Sequence, residues 1–260
     1  MLAGWGEQGL LFLLSLVANT LSSLAGGGAG LLQLPVLLFL GLAFPVALAT
    51  HKIASVALGV GATLRHLRGD GINLRFAAYI LAAGLPGVWL GTQVILQLPE
   101  AWARAALGVL TLGMGLYSWR RPTLGQQQAL RNTGSVKGLA IGALGFALIG
   151  VLNGSLTSGT GLFVTLWLIR WFGLDYTRAV TYTLILVGLF WNGTGAWFLA
   201  LQAPVRWDWL PALLLGSLLG GYLGAHLALK HGNRLVKRSF EILTVLVGLK
   251  LLADAWPMLA

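Results

Sequence analysis

The chain has 260 residues, 57% of them apolar and 9% charged, with a mean hydropathy of +0.82. Soluble domains carry about 25% charged residues, so this composition excludes a water-covered globule and defines an all-α integral membrane protein. The net charge of +10 falls in loops, which assigns it to membrane topology and not to nucleic acid, and the absence of cysteine excludes disulfides, thiolate metal sites and thiol nucleophiles.

Residues before Gly9 contain no Lys or Arg. The basic region that opens a secretory signal is therefore missing, and the first apolar segment is expected to stay in the mature protein. Hydrophobic segments follow at 9–25, 31–41, 44–64, 76–97 and 103–119. After the polar stretch RRPTLGQQQALRNTGSV (120–136) they recur at 137–153, 161–172, 175–201, 208–229 and 238–256. Segments near 20 residues suit spanning helices, whereas 31–41 and 161–172 are too short to span alone. This divides the chain into a first transmembrane repeat (1–119), a cytoplasmic linker (120–136) and a second repeat (137–260).

The halves match residue by residue. Gly28 and Gly30 pair with Gly159 and Gly161 at a separation of 131, Ala47 and Gly61 with Ala179 and Gly193 at 132, and Gly87 and Gly91 with Gly220 and Gly224 at 133. So slow a drift indicates duplication. Basic residues gather at Arg65, Arg68 and Arg75; at Arg120, Arg121, Arg131 and Lys137; at Arg170 and Arg178; and at Lys230, Arg234, Lys237 and Arg238. The connections at 98–104 and 202–208 hold one basic residue each. The positive-inside rule puts the rich groups in the cytoplasm and both termini outside. Because the basic loop 65–75 corresponds to the poor loop 202–208, and 230–238 to 98–104, the two repeats are expected to have inverted topology, a signature of secondary transporters.

Each repeat is interrupted near its start. Gly26, Gly27 and Gly28 break the apolar run from Gly9 to Gly41, since each Gly costs a helix about 1 kcal/mol relative to Ala. A break inside a membrane is tolerated where it lines a cavity or is covered by protein. Broken or re-entrant helices are thus expected near 26–30 and 157–161. Helices that restart at Leu31 and Leu162 aim unpaired N–H groups and a partial positive charge into the protein, which suits an anion. Gly26, Gly27, Gly28 and Gly30 on one side, with Ser158, Gly159, Thr160 and Gly161 on the other, are the candidate substrate-binding residues. Gly84, Gly87, Gly91, Gly220 and Gly224 fit close helix packing better.

Lys52 is the sharpest single residue. It lies deep in segment 44–64, where a cation costs about 2.5–3.5 kcal/mol to insert, and all seven acidic residues fall near segment ends or loops. A transported anion would supply its counter-charge; a structural lysine bonded to carbonyls is the alternative. Thr50, His51 and, in the second repeat, Thr181 complete the candidate set. Asn153, Ser155, Thr157 and Asn192 serve either the ligand or neighbouring helices. His51 points about 100° from Lys52 around a helix. Coupling to H⁺ through His51, to Na⁺, or to neither stays open, as does oligomeric state. No cofactor or metal is implied.

With GGGAGLLQLP, ALATHKIAS and ALGVGATLRHLR in the first half, and GVLNGSLTSGTG with RAVTYTLIL in the second, the sequence resembles the sulfite exporter TauE/SafE family over nearly its whole length. Two departures stand out: Thr157–Ser158–Gly159–Thr160–Gly161 replaces the glycine cluster, and Leu166 stands where Pro35 does. The resemblance implies a bacterial inner-membrane carrier of small sulfur-containing anions such as sulfite, sulfonates or thiosulfate, with no enzymatic activity. A channel of the same selectivity is the related alternative. An intramembrane hydrolase using Ser155 and His226 is the distant one.

Overall fold

A computed structural model describes residues 4–27, 29–66, 72–94, 100–156 and 159–259. The described residues form helices and connecting turns without strands. Helices α1 (Trp5–Ala25), α2 (Ala29–Phe39), α3 (Phe44–His66), α4 (Leu74–Val94) and α5 (Glu100–Trp119) precede the linker. Then come α6 (Val136–Leu156), α7 (Thr160–Phe172) and α8 (Tyr176–Gln202). A last helical run, Leu210–Leu259, bends where Gly232 takes φ 72° and ψ −169°, giving α9 (residues 210–231) and α10 (233–259). Among the described residues six helices, with Leu210–Met258 taken as one, are long and apolar enough to cross a membrane.

The helices turn their polar residues inward. On α1, Ser15, Asn19, Ser22 and Ser23 are buried, while Leu13, Val17 and Leu21 are about half exposed. That pattern suits a helix whose outer face meets hydrocarbon. Ser15 donates to the Leu213 carbonyl oxygen at 2.8 Å and Ser23 to that of Gly221 at 2.9 Å, tying α1 to α9.

Two glycine seams are built alike. A β-carbon on Gly220 or Gly224 would collide with the carbonyl oxygens of Leu16 and Thr20 on α1. One on Gly87 or Gly91 would collide with those of Ala147 and Val151 on α6. These glycines therefore serve close helix packing. Leu16 and Ala147 are themselves separated by 131 residues, as are Thr20 and Val151. Each early helix thus packs on the fourth helix of the opposite half, in the same register.

The basic connections gather at one end. The amide of Asn73 donates to the Tyr182 hydroxyl, those of Ala129 and Arg131 to the Gly173 and Phe172 carbonyls, and the Asn233 side chain bridges Thr177 and Gln126. The linker is accordingly strapped down along the α7–α8 turn and not a loose tether. At the opposite end Gln8 donates to the Asp208 carbonyl, and the Arg206 amide to the Thr50 hydroxyl.

Candidate functional site

Helix α1 stops at two glycines. Gly26 takes φ 94° and Gly27 φ 95°, values that only glycine adopts readily. The amides of Gly26 and Gly27 return to the Ser23 and Ser22 carbonyls at 3.3 and 2.8 Å, closing the helix end as a Schellman motif does. The chain then enters α2 at Ala29. In the second half Gly159, at φ 75°, precedes α7. The two breaks meet: a β-carbon on Gly27 would stand 3.1 Å from the Gly161 Cα. Thr165 of α7 ties them, donating to the Gly26 carbonyl at 2.8 Å. Gly28, Thr157 and Ser158 lie outside the described residues.

Beside this meeting point is a cavity of about 30 Å³, room for roughly two waters. Its wall includes Gly27, Gly30, His51, Asn153, Thr160, Gly161, Thr183, Gly188 and Asn192. Thr183 and Gly188 belong to a π-helical stretch, Thr183–Trp191, and Asn192 follows it directly; such wide turns are frequent at functional sites. Opposite Gly188, Gly59 lets α3 approach α8 backbone to backbone.

Lys52 is fully buried and spends its three donors on neutral oxygens. It donates to the Asn153 carbonyl and Oδ1 at 2.9 Å each, and to Asn192 Oδ1 at 3.3 Å. Asn153 Nδ2 in turn donates to Thr160 Oγ1 at 2.8 Å, so the ammonium is held against the α7 break. Among the described residues no carboxylate pairs with Lys52. Of the two sequence alternatives for this residue, the carbonyl-bonded one describes the geometry present, with the counter-charge still missing.

His51 approaches the cavity from the other side. Its Nδ1 lies 2.9 Å from Gln33 Oε1, and Gln33 Nε2 donates to Ser15 Oγ at 2.9 Å. His51 and Lys52 therefore flank one space despite their angular separation, because Lys52 reaches it through Asn153 and Asn192.

Of the candidates read from the sequence, Gly27, Gly30, His51, Thr160 and Gly161 line the cavity. Gly26 and Gly159 sit in the breaks behind it, and Lys52 behind its asparagine wall. Thr50 and Thr181 go elsewhere: Thr50 accepts from the Arg206 amide, and Thr181 bonds His66 Nδ1 at 3.2 Å. Gln33, Thr183 and Gly188 were not singled out as site residues. Gln33 carried a signal, being the sole polar side chain of α2. Ser155 and His226 do not form a pair, since Ser155 bonds the Val151 carbonyl of its own helix and His226 accepts from Arg65.

Six apolar helices of spanning length among the described residues define a multi-pass membrane protein, and a buried lysine near the apposed Gly27 and Gly161 fits the transporter class. The chain matches the model for sulfite exporter TauE/SafE over residues 11–251, and it belongs to that family. It is 29% identical over 94% of both chains to a protein of Haemophilus influenzae named "Probable membrane transporter protein". It is 27% identical to "Probable membrane transporter protein YfcA" of Escherichia coli K12, over 95% of this chain and 90% of that one. It is also 29% identical to "Probable membrane transporter protein ORF9" of Sinorhizobium sp, over 94% and 92%. No solved structure matches the chain.

Proposed function

We propose that this protein is a secondary carrier of a small, sulfur-containing anion in the bacterial inner membrane, working by alternating access around a site where its two helix breaks meet. The observation that carries the proposal is the apposition of Gly27 and Gly161 beside a buried lysine that no carboxylate among the described residues pairs with. Glycine leaves backbone accessible to a ligand, and the α2 and α7 N-termini add partial positive charge. An anion entering the cavity displaces the longest Lys52 contact, the one to Asn192, and supplies the charge that neutral oxygens do not.

Inverted repeats support a midplane location. The seams exchange partners between halves in equal register, as a two-fold axis demands of an isologous contact. The four basic loops share one end although they occupy non-equivalent positions in the two repeats, as opposite insertion requires. Where such an axis lies in the membrane plane, the contact between the breaks lies at mid-depth. Helices α1 and α6 have 21 residues each, about 31 Å. Half of a bilayer of about 40–45 Å is about 20–22 Å, so they meet at one level by starting in the headgroup layers and also lying strongly tilted. Both termini then face outward, and the halves rock against each other across the glycine seams.

The test is reconstitution into liposomes with sulfite, thiosulfate, sulfate, taurine and sulfoacetate, each under imposed H⁺ or Na⁺ gradients. Saturable flux of at least one sulfur anion is expected; no flux of any overturns the proposal.

A further inference from the structure

The hydrogen-bond chain behind His51 has a fixed direction. Ser15 donates its proton to the Leu213 carbonyl at 2.8 Å, and a carbonyl can only accept. Ser15 Oγ is therefore an acceptor towards its other neighbours. Gln33 Nε2 donates to it at 2.9 Å and to Ser217 Oγ at 3.4 Å, and Asn19 Nδ2 donates to both hydroxyls. This orients the Gln33 amide with Oε1 towards His51. A carbonyl oxygen needs a donor, so His51 Nδ1 carries the hydrogen. In the neutral ring Nε2 then holds a lone pair.

Gln33 lies outside the cavity wall while His51 is part of it. The edge that His51 offers the cavity is thus the one opposite Nδ1. The groups facing it from α6, α7 and α8 (Asn153, Thr160, Thr183 and Asn192) are all neutral. The one charge nearby is Lys52, held by Asn153 and Asn192. A second cation there, with no carboxylate among the described residues, would add the cost of another unpaired charge in the membrane. The cavity consequently has the His51 Nε2 lone pair on its wall and the Lys52 ammonium behind its asparagines.

We infer that the site takes its anion in singly protonated form, with an ionised oxygen towards Lys52 and the ligand's O–H donating to His51 Nε2. A fully ionised oxyanion would bring a lone pair against a lone pair at His51. This inference rests on the carrier proposal and narrows its substrate to oxyanions that retain a proton near neutral pH. His51 is the selecting residue and Gln33 the positioning residue behind it.

The experiment measures initial flux of sulfite and of methanesulfonate, a monoanion with no proton to give, into proteoliposomes at subsaturating concentration. The pH is equal on both sides and is stepped from 6 to 8.5. Wild-type sulfite flux should follow the hydrogensulfite concentration and fall about tenfold per pH unit once the dianion predominates, by mass action alone. At pH 6 it should exceed methanesulfonate flux about tenfold or more, the worth of one hydrogen bond to a charged partner. His51→Phe should collapse that ratio to near one, and Gln33→Met, which takes the acceptor away from Nδ1, should lower it. Sulfite flux independent of pH, or an unchanged ratio in His51→Phe, overturns the inference. Methanesulfonate moving as fast as sulfite at every pH overturns it while leaving the carrier intact, and flux of neither anion overturns both. If His51→Phe does not fold, the wild-type pH series and Gln33→Met still decide.

Discussion

Gly27 and Gly161 lie against each other across the two interrupted segments, each within 3.1 Å of where the other's β-carbon would stand. A β-carbon at either position would be in tight contact with the other's backbone, and Gly27 at φ 95° also has a backbone that L-residues adopt at about 1–2 kcal/mol. Gly161→Leu and Gly27→Leu should each abolish anion flux in proteoliposomes. Gly161→Ala, which asks its neighbours to yield by a few tenths of an ångström, should insert normally and lose flux only in part. Wild-type flux in both leucine variants would make the glycines packing devices alone.

Removal of the partner should harm more than removal of the charge. Asn153→Ala takes an acceptor from Lys52 and a donor from Thr160, leaving a buried ammonium under-solvated at a cost of about 3 kcal/mol or more. Lys52→Ala removes the charge together with its burial penalty and should cost less. The double variant should be more stable than Asn153→Ala alone, measured by thermal unfolding in nanodiscs. Strict additivity would contradict the coupling.

The two seams should respond alike. Gly87→Leu and Gly220→Leu each drive a branched side chain into a helix backbone, at Ala147 and Leu16, and overpacking of this kind costs about 1–3 kcal/mol or more. Similar losses of thermal stability are expected from both. A large loss at one site and none at the other would break their equivalence.

Opposite insertion of the halves is open to labelling, because the natural chain has no cysteine. Thr133→Cys in the linker and Gln202→Cys at the end of α8 are both exposed. In intact cells an impermeant maleimide should label residue 202 and not residue 133, and in inside-out vesicles the reverse. Labelling of both from one side would contradict the inverted arrangement.

Much of the scaffold was legible in the sequence. Apolar segments set the helices, spanning and short alike, because hydrocarbon forces every backbone group into helical pairing. The helix end at Gly26 and Gly27 was legible because glycine disfavours a helix and readily takes positive φ. The seams at Gly87, Gly91, Gly220 and Gly224 could be told from the site because scattered single glycines suit close helix packing, whereas a run of three goes beyond it. The cavity wall was less so. Asn153 and Asn192 act on Lys52 from 101 and 140 residues away, a tertiary relation that no local pattern carries. The π-helical stretch at Thr183–Trp191 is apolar throughout its middle and leaves no compositional trace. Thr50 and Thr181 were placed at the site by proximity to Lys52 and by repeat position. Their hydroxyls instead anchor the Arg206 loop and His66, because the repeats do not preserve side-chain roles.

The central claim is that a buried lysine at the meeting of two helix breaks pairs with a transported anion. Sulfite flux into proteoliposomes, compared between wild type and Lys52→Ala at equal protein content and with matched melting profiles, tests it most directly. The account predicts a correctly folded Lys52→Ala protein that has lost most of its flux. Undiminished flux in that variant would contradict it.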